Sequence, residues 1–198
     1  IYVPATYQET GGAKAMAEEL IQSVEKITTD HPDKFEVAYN VADAERIVSE
    51  GKIALPMGME NGAPLEGDLS NVKYFHERGI SYITLTHSED NDICDSSYNL
   101  GERTHKGLSE FGAEVVKEMN RLGIMIDVSH ASDDVFYDTI AISKAPIIAT
   151  HSNARAVTEH KRNMSDDMLK TIAEHGGVVQ LTMLASYLRT APENPERN

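Results

Sequence analysis

Cysteine, cations and long apolar runs are what this sequence has least of. Its one cysteine, Cys94, excludes an intrachain disulfide framework and any cysteine-rich zinc finger. No apolar stretch reaches the ~18–20 residues that a membrane-crossing helix needs. Only 18 Lys+Arg stand against 32 Asp+Glu, a formal charge of -14 at pH 7. With no basic stripe there is no footprint for a phosphate backbone, so nucleic acid is not an expected partner; the acidity serves solubility. No glycine-rich turn follows a strand to hold a dinucleotide phosphate. The chain opens on Ile1-Tyr2-Val3-Pro4 without an initiator Met or a charged-then-apolar leader. The expectation is a processed chain or an internal portion of a longer one, with cytoplasmic and exported settings both open.

What is present is alternation. Short β-branched runs interleave with amphipathic stretches, the pattern of parallel βα units. Strands are expected at Ile1–Ala5, Lys52–Met57, Ser81–Thr86, Ile124–Val128, Pro146–Thr150 and Gly177–Met183. Helices are expected at Ala13–Thr28, Ala42–Glu50, Leu69–Arg78, Ser109–Leu122, Asp133–Ser143 and Met164–Glu174, with a short extended piece at Phe35–Tyr39. In the first helix Met16, Leu20, Val24 and Ile27 recur at helical spacing. Ser109 and Ser165 are placed to cap, and Gly123 to terminate. The polar stretch His87–Thr104 is a loop of functional length, and Pro192–Glu196 a polar tail. Six strands separated by crossovers suit a (β/α)8 barrel, which needs eight strands and typically ~250 residues. The fold expected is α/β: one TIM-type barrel domain over residues 1–198, covering about six of the eight βα units and incomplete at both ends.

The chemistry sits where those strands stop. Glu60, His87, His130 and His151 each follow or end one of four consecutive strands. In a barrel this is the C-terminal rim, where active sites are built. A lone histidine there is more often structural; four such groups in phase favour a metal site. Neutral imidazole with carboxylate oxygen is the usual ligand set of catalytic zinc. Two such ions can share a bridging carboxylate and a bridging hydroxide and polarise a scissile carbonyl. Asp127 alternates away from His130 and is read as support rather than ligand. Asp133 and Asp134 begin a helix. His31 and Asp33 fall in a helix-ending turn, and His76, His105, His160 and His175 are read as surface residues. Arg162 could clamp a substrate carboxylate or form an ordinary loop salt bridge; spacing leaves the two even.

Several motifs, in order, resemble the membrane (renal-type) dipeptidases. They are Gly58-Met59-Glu60-Asn61-Gly62, Ile83-Thr84-Leu85-Thr86-His87, Glu118-Met119-Asn120-Arg121-Leu122-Gly123, Ile126-Asp127-Val128-Ser129-His130, Thr150-His151-Ser152-Asn153-Ala154 and Lys161-Arg162-Asn163-Met164-Ser165-Asp166-Asp167. The similarity runs from about Ile1 to about Leu184. It implies a metallopeptidase barrel with two zinc ions that hydrolyses dipeptides, including those with a C-terminal D-residue, through a metal-bridging hydroxide. In that family Glu60 would bridge the zinc ions and His130 and His151 would ligate the second. His87 would contact the substrate and the tetrahedral intermediate, and Arg162 would bind its carboxylate. The resemblance also admits a homodimer. The family's first-strand His-x-Asp pair and last-strand aspartate have no counterpart here and are expected beyond the two ends. Two alternatives remain open: another binuclear amidohydrolase acting on cyclic amides or N-acyl substrates, and a degenerate, non-catalytic zinc-binding module.

Overall fold

Short capped helices and shorter strands alternate in a computed structural model that describes residues 1–99, 101 and 103–189. In chain order they are α1 (Thr6–Thr10), α2 (Ala13–Asp30), β1 (Phe35–Val37), α3 (Val41–Ser49), β2 (Ile53–Leu55), β3 (Met57–Glu60), α4 (Ser70–Glu77), β4 (Ile80–Thr84), α5 (Glu110–Leu122), β5 (Met125–Asp127), α6 (Asp133–Ile142), β6 (Ile148–Ala149), α7 (Asp166–Glu174), β7 (Val178–Val179) and α8 (Ala185–Leu188). The polar tail 192–196 lies outside the described residues.

Local chemistry accounts for the helix ends. Ser109, Ser132 and Ser165 each accept a backbone N–H three residues on, from Gly112, Val135 and Met168. Asn40 does the same for Asp43, whose own carboxylate returns to the Tyr39 N–H. Gly123 ends α5 in the left-handed region at φ 81°. The expected helices therefore appear with their boundaries moved by one or two residues, as fraying ends allow.

The strands differ more. Lys52–Met57 is not one strand, because Pro56 has no N–H to give to a ladder. The chain before it, β2, pairs with β1 in a small parallel sheet; the chain after it, β3, pairs with β4. Ile1–Ala5 contracts to a single parallel bridge between Tyr2 and Glu60, and the polar α1 follows. The last two strands shrink to two residues each.

The main sheet has the order β3-β4-β5-β6-β7, all parallel, with Tyr2 on the free side of β3. Strand order follows chain order with no reversal. A doubly wound sheet reverses at a switch point, whereas a (β/α)8-type barrel does not. The sheet is thus an arc of such a barrel. Glu60 stands opposite Thr84, and Thr84 opposite Asp127, so these three side chains share one row and one face at the C-terminal ends of the strands. One buried core, including Phe75, Val115, Val116, Met119 and Phe136 from the helices and Ile83 and Ile126 from the strands, lies between the sheet and its helical layer. Fully burying an aliphatic or phenyl side chain contributes roughly 1.5–3 kcal/mol. No helix among the described residues is long and apolar enough to cross a membrane.

Among the described residues from His87 to Thr104, acidic and amide side chains take up the backbone. Asp90 accepts from Ser96 N, Asn99 Nδ2, Thr104 N and Thr104 Oγ1. Asn91 takes Ile93 N and Cys94 N and donates to Leu85 O; Asp95 takes His105 N and Gly107 N. These bonds replace the ladder partners that a long connection lacks.

Candidate metal centre

β3 delivers Glu60, and the turns after β4, β5 and β6 deliver His87, His130 and His151. Three ligand-type atoms meet closely: Glu60 Oε1 lies 3.2 Å from His130 Nε2 and 3.1 Å from His151 Nε2, and the two nitrogens are 2.8 Å apart. Among the described residues this is the one trio of His, Cys, Asp or Glu whose ligand atoms fall within 4.8 Å of one another. His87 stands beside the trio. Its Nε2 is 3.6 Å from Glu60 Oε1, and its ring lies between those of His130 and Tyr2, with centroids 4.0 and 4.8 Å away. His130 reaches its place from a strained backbone, φ 69°, which non-glycine residues rarely adopt. The chain accepts that cost where the turn after β5 must aim an imidazole at the rim.

The electrostatics suit a cation. Burial pushes the His130 imidazole down to about 4, against the opposing pull of Glu60, so at neutral pH it is uncharged and offers a lone pair. Burial likewise lowers His87. Burial alone would raise the Glu60 carboxyl, but its contacts with His130 and His151 outweigh that and hold it well below the usual carboxylate range. A carboxylate oxygen and two imidazole nitrogens crowded into one triangle form an electron-rich set. A single shared proton satisfies one edge, whereas a metal ion satisfies all three. The residues present therefore fit a metal.

Arg162 enters from the loop after β6. It is 3% exposed; its guanidinium donates to His151 O at 3.1 Å, and its Nε is buried without a partner. Burial lowers its basicity, and the neighbouring Tyr187 and Tyr98 phenol groups and the Asp127 and Glu60 carboxylates oppose that. No salt bridge to Arg162 occurs among the described residues, unlike Arg155, which pairs with Asp133. A buried cation with donors to spare is costly unless an anion completes it. Asp127 is not one of the trio. It is fully buried and accepts from Thr84 Oγ1, Ser129 N, Thr150 N and Thr150 Oγ1, which matches the supporting place expected for it.

With this geometry the comparison with known proteins is direct. The sequence model of the membrane dipeptidases, peptidase family M19, matches residues 1–197. The chain belongs to that family. An uncharacterized dipeptidase of Schizosaccharomyces pombe is 39% identical to this dipeptidase-family chain over 142 residues, 71% of this chain and 34% of the yeast protein. The solved dipeptidase AC, a metallopeptidase of family M19, is 31% identical with a TM-score of 0.87, covering 96% of this chain and 59% of that one. A metallopeptidase of Rhodobacter sphaeroides, solved with a phosphinate mimic of the dipeptide L-Ala-D-Ala, is 32% identical with a TM-score of 0.80 over 95% of this chain and 53% of that one. The dipeptidase-family chain thus spans part of the length of each relative.

Sequence reasoning missed other residues at this mouth. Tyr98, from the long loop, meets Tyr187 of α8 hydroxyl to hydroxyl. Lys161 Nζ lies 4.4 Å from the centre of the Tyr98 ring and donates to Tyr98 O. Nothing in their spacing marks either tyrosine, since both lie outside the strand-end pattern. His160 and His105 are half-buried rather than surface residues: His160 Nδ1 accepts from Arg162 N, and His105 Nε2 contacts Asn91 O. His76 and His175 are exposed, as expected.

A cavity of about 740 Å³ opens between α1, the 3-10 turn Ala63–Leu65 and the long loop. None of the trio, His87 or Arg162 lines it. The chemistry lies with the converging side chains, and the Asp90 carboxylate on that cavity wall is already taken up by loop hydrogen bonds.

Proposed function

We propose that this chain carries the larger part of the active site of a zinc-dependent dipeptidase. The observation that supports it best is the triangle of Glu60 Oε1, His130 Nε2 and His151 Nε2 beside a buried Arg162 with no salt bridge among the described residues. In this reading Glu60, His130 and His151 are the residues of this chain that would hold the zinc. Bound there, the metals would supply Lewis acidity to the scissile carbonyl and lower the pKa of the attacking water.

The side chains do the rest. Arg162 holds the C-terminal carboxylate of the dipeptide, which supplies the anion its buried guanidinium lacks. His87, kept neutral by burial, turns Nε2 toward the cluster and would offer a hydrogen bond, its proton staying on the ring, to the carbonyl oxygen as charge builds there. Buried Thr84 and Asp127 stand in the same strand-end row as Glu60. The L-Ala-D-Ala mimic bound by the Rhodobacter sphaeroides relative supports a substrate of two residues with room for a D-residue at the second.

Metal stoichiometry and peptidase assays test this together. Two zinc ions per chain and hydrolysis of L-Ala-D-Ala are expected from the full-length protein. Arg162→Ala should raise KM by roughly 10- to 100-fold, the worth of a hydrogen bond to a charged group at ~1.5–3 kcal/mol. A dipeptide amide, which has no carboxylate, should be indifferent to the change. An unchanged KM for the free dipeptide sinks the clamp, and protein without bound metal sinks the enzyme.

A further inference from the structure

A neutral imidazole exists as two tautomers, and only one leaves the inward nitrogen with a bare lone pair. His151 turns Nε2 toward Glu60 and His130. Its other nitrogen, Nδ1, lies 2.7 Å from Thr150 Oγ1, and that same oxygen lies 2.6 Å from Asp127 Oδ2. A threonine hydroxyl has one proton, and a carboxylate can only accept. The Thr150 proton therefore goes to Asp127, and the hydroxyl can meet Nδ1 only as an acceptor. Nδ1 must then carry the imidazole hydrogen, and Nε2 is left bare.

The arrangement cannot easily turn away. Asp127 Oδ1 also accepts from Ser129 N at 2.9 Å and Thr150 N at 3.0 Å, and Oδ2 accepts from Thr84 Oγ1 at 2.6 Å. The His151 backbone is held as well, donating its N–H to Ser129 Oγ at 3.1 Å. His130 differs: its Nδ1 is buried with no partner among the described residues.

We propose that Thr150 and Asp127 are positioning residues that lock His151 as the Nδ1–H tautomer, so that one inward lone pair is preformed before any ion arrives. Its use rests on the metal-site reading above; the tautomer itself rests on the hydrogen bonds alone.

Two-bond 1H–15N correlation spectra of histidine-labelled, metal-free, full-length protein at about pH 8, above the usual imidazole value of ~6.5, read the tautomer directly. His151 should be Nδ1–H in the wild type and in Thr150→Ser, which keeps the hydroxyl. Thr150→Val keeps the shape and removes the acceptor, so the Nδ1–H population should fall while His130 is unchanged. Zinc affinity, from competition with a chromophoric chelator, should drop roughly 10- to 100-fold in Thr150→Val and recover in Thr150→Ser. Nδ1–H retained in Thr150→Val overturns the proposal. So does Nε2–H in the wild type, an outcome that needs no variant to fold. If the wild type is Nδ1–H but binds no zinc, the lock stands and the metal reading falls.

Discussion

Gly112 offers the sharpest test of how the long loop is held over the barrel. It lies in the first turn of α5, and its N–H donates to the capping Ser109 Oγ at 2.8 Å. A Cβ added there would lie 2.1 Å from Ile93 O, where ordinary contact begins at 3.4 Å. The carbonyl cannot swing aside cheaply, because it accepts Ser109 N at 2.9 Å. Gly112 is not among the glycines with positive φ, so alanine fits its backbone and the contact alone decides the outcome. At an open helical position Gly→Ala would stabilise by about 0.8–1 kcal/mol. Here overpacking, which costs about 1–3 kcal/mol, meets backbone rather than a flexible side chain, so the upper end applies. The net expectation for Gly112→Ala is a loss of ~2 kcal/mol, a Tm lower by ~4–8 °C at this size. Ala113→Gly in the same turn should lose about 1 kcal/mol through propensity, so two opposite exchanges both destabilise. Urea melts followed by far-UV circular dichroism give both numbers. A Gly112→Ala protein as stable as the wild type, or more so, would mean that the loop backbone at Ile93 does not rest on α5.

Two further outcomes follow from local geometry. Burial alone would raise the Asp90 carboxyl, but donors from Ser96, Asn99 and Thr104 outweigh it and hold it below its ordinary 3.8. Its contribution is therefore full above that value and is lost as pH falls through the lower, folded one. Amide protection at Ser96 and Thr104 should survive to about pH 3.8 and collapse below it, and Asp90→Asn should weaken it at every pH; loss already at pH ~5 would contradict the assignment. Ser165→Ala removes the acceptor for Met168 N and should cost ~1 kcal/mol in urea unfolding with an unchanged slope.

Much of the fold was legible because capping and periodicity are local. The stretches Glu110–Leu122 and Asp166–Glu174 each follow a serine whose side chain caps as its position suggests, while the cap of Asp133–Ile142, Ser132, went unread. The strands were less legible, since their ends depend on a neighbour far along the chain, as Thr84 does on Asp127 and Tyr2 on Glu60. Pro56 sits inside an apolar run that reads as one strand, and only the absence of its N–H warns that two sheets share it. The rim was legible in outline because one residue per strand end recurs in phase, and Glu60, His87, His130 and His151 do come together. The supporting shell was not. Thr150, Tyr98 and Tyr187 belong to types found everywhere on a protein, and their partners are set by packing alone. The order within the loop from His87 was hidden for a related reason: Asp90, Asn91 and Asp95 look like solvent-facing polarity until their backbone partners are known.

The succession of strands also has a kinetic side. Glu60 and His87 belong to neighbours joined by α4, and His130 and His151 to neighbours joined by α6, so each pair can form within a single βαβ crossover. The two pairs meet only where β4 pairs with β5, and between those strands runs the longest connection from β3 to β7, holding both the stitched loop and α5. Closing such a span is the slow, entropy-limited kind of step in which local contacts come first and distant ones late. Bringing Glu60 to the two histidines therefore depends on closing that longest crossover, and the centre reports that the arc has closed in register.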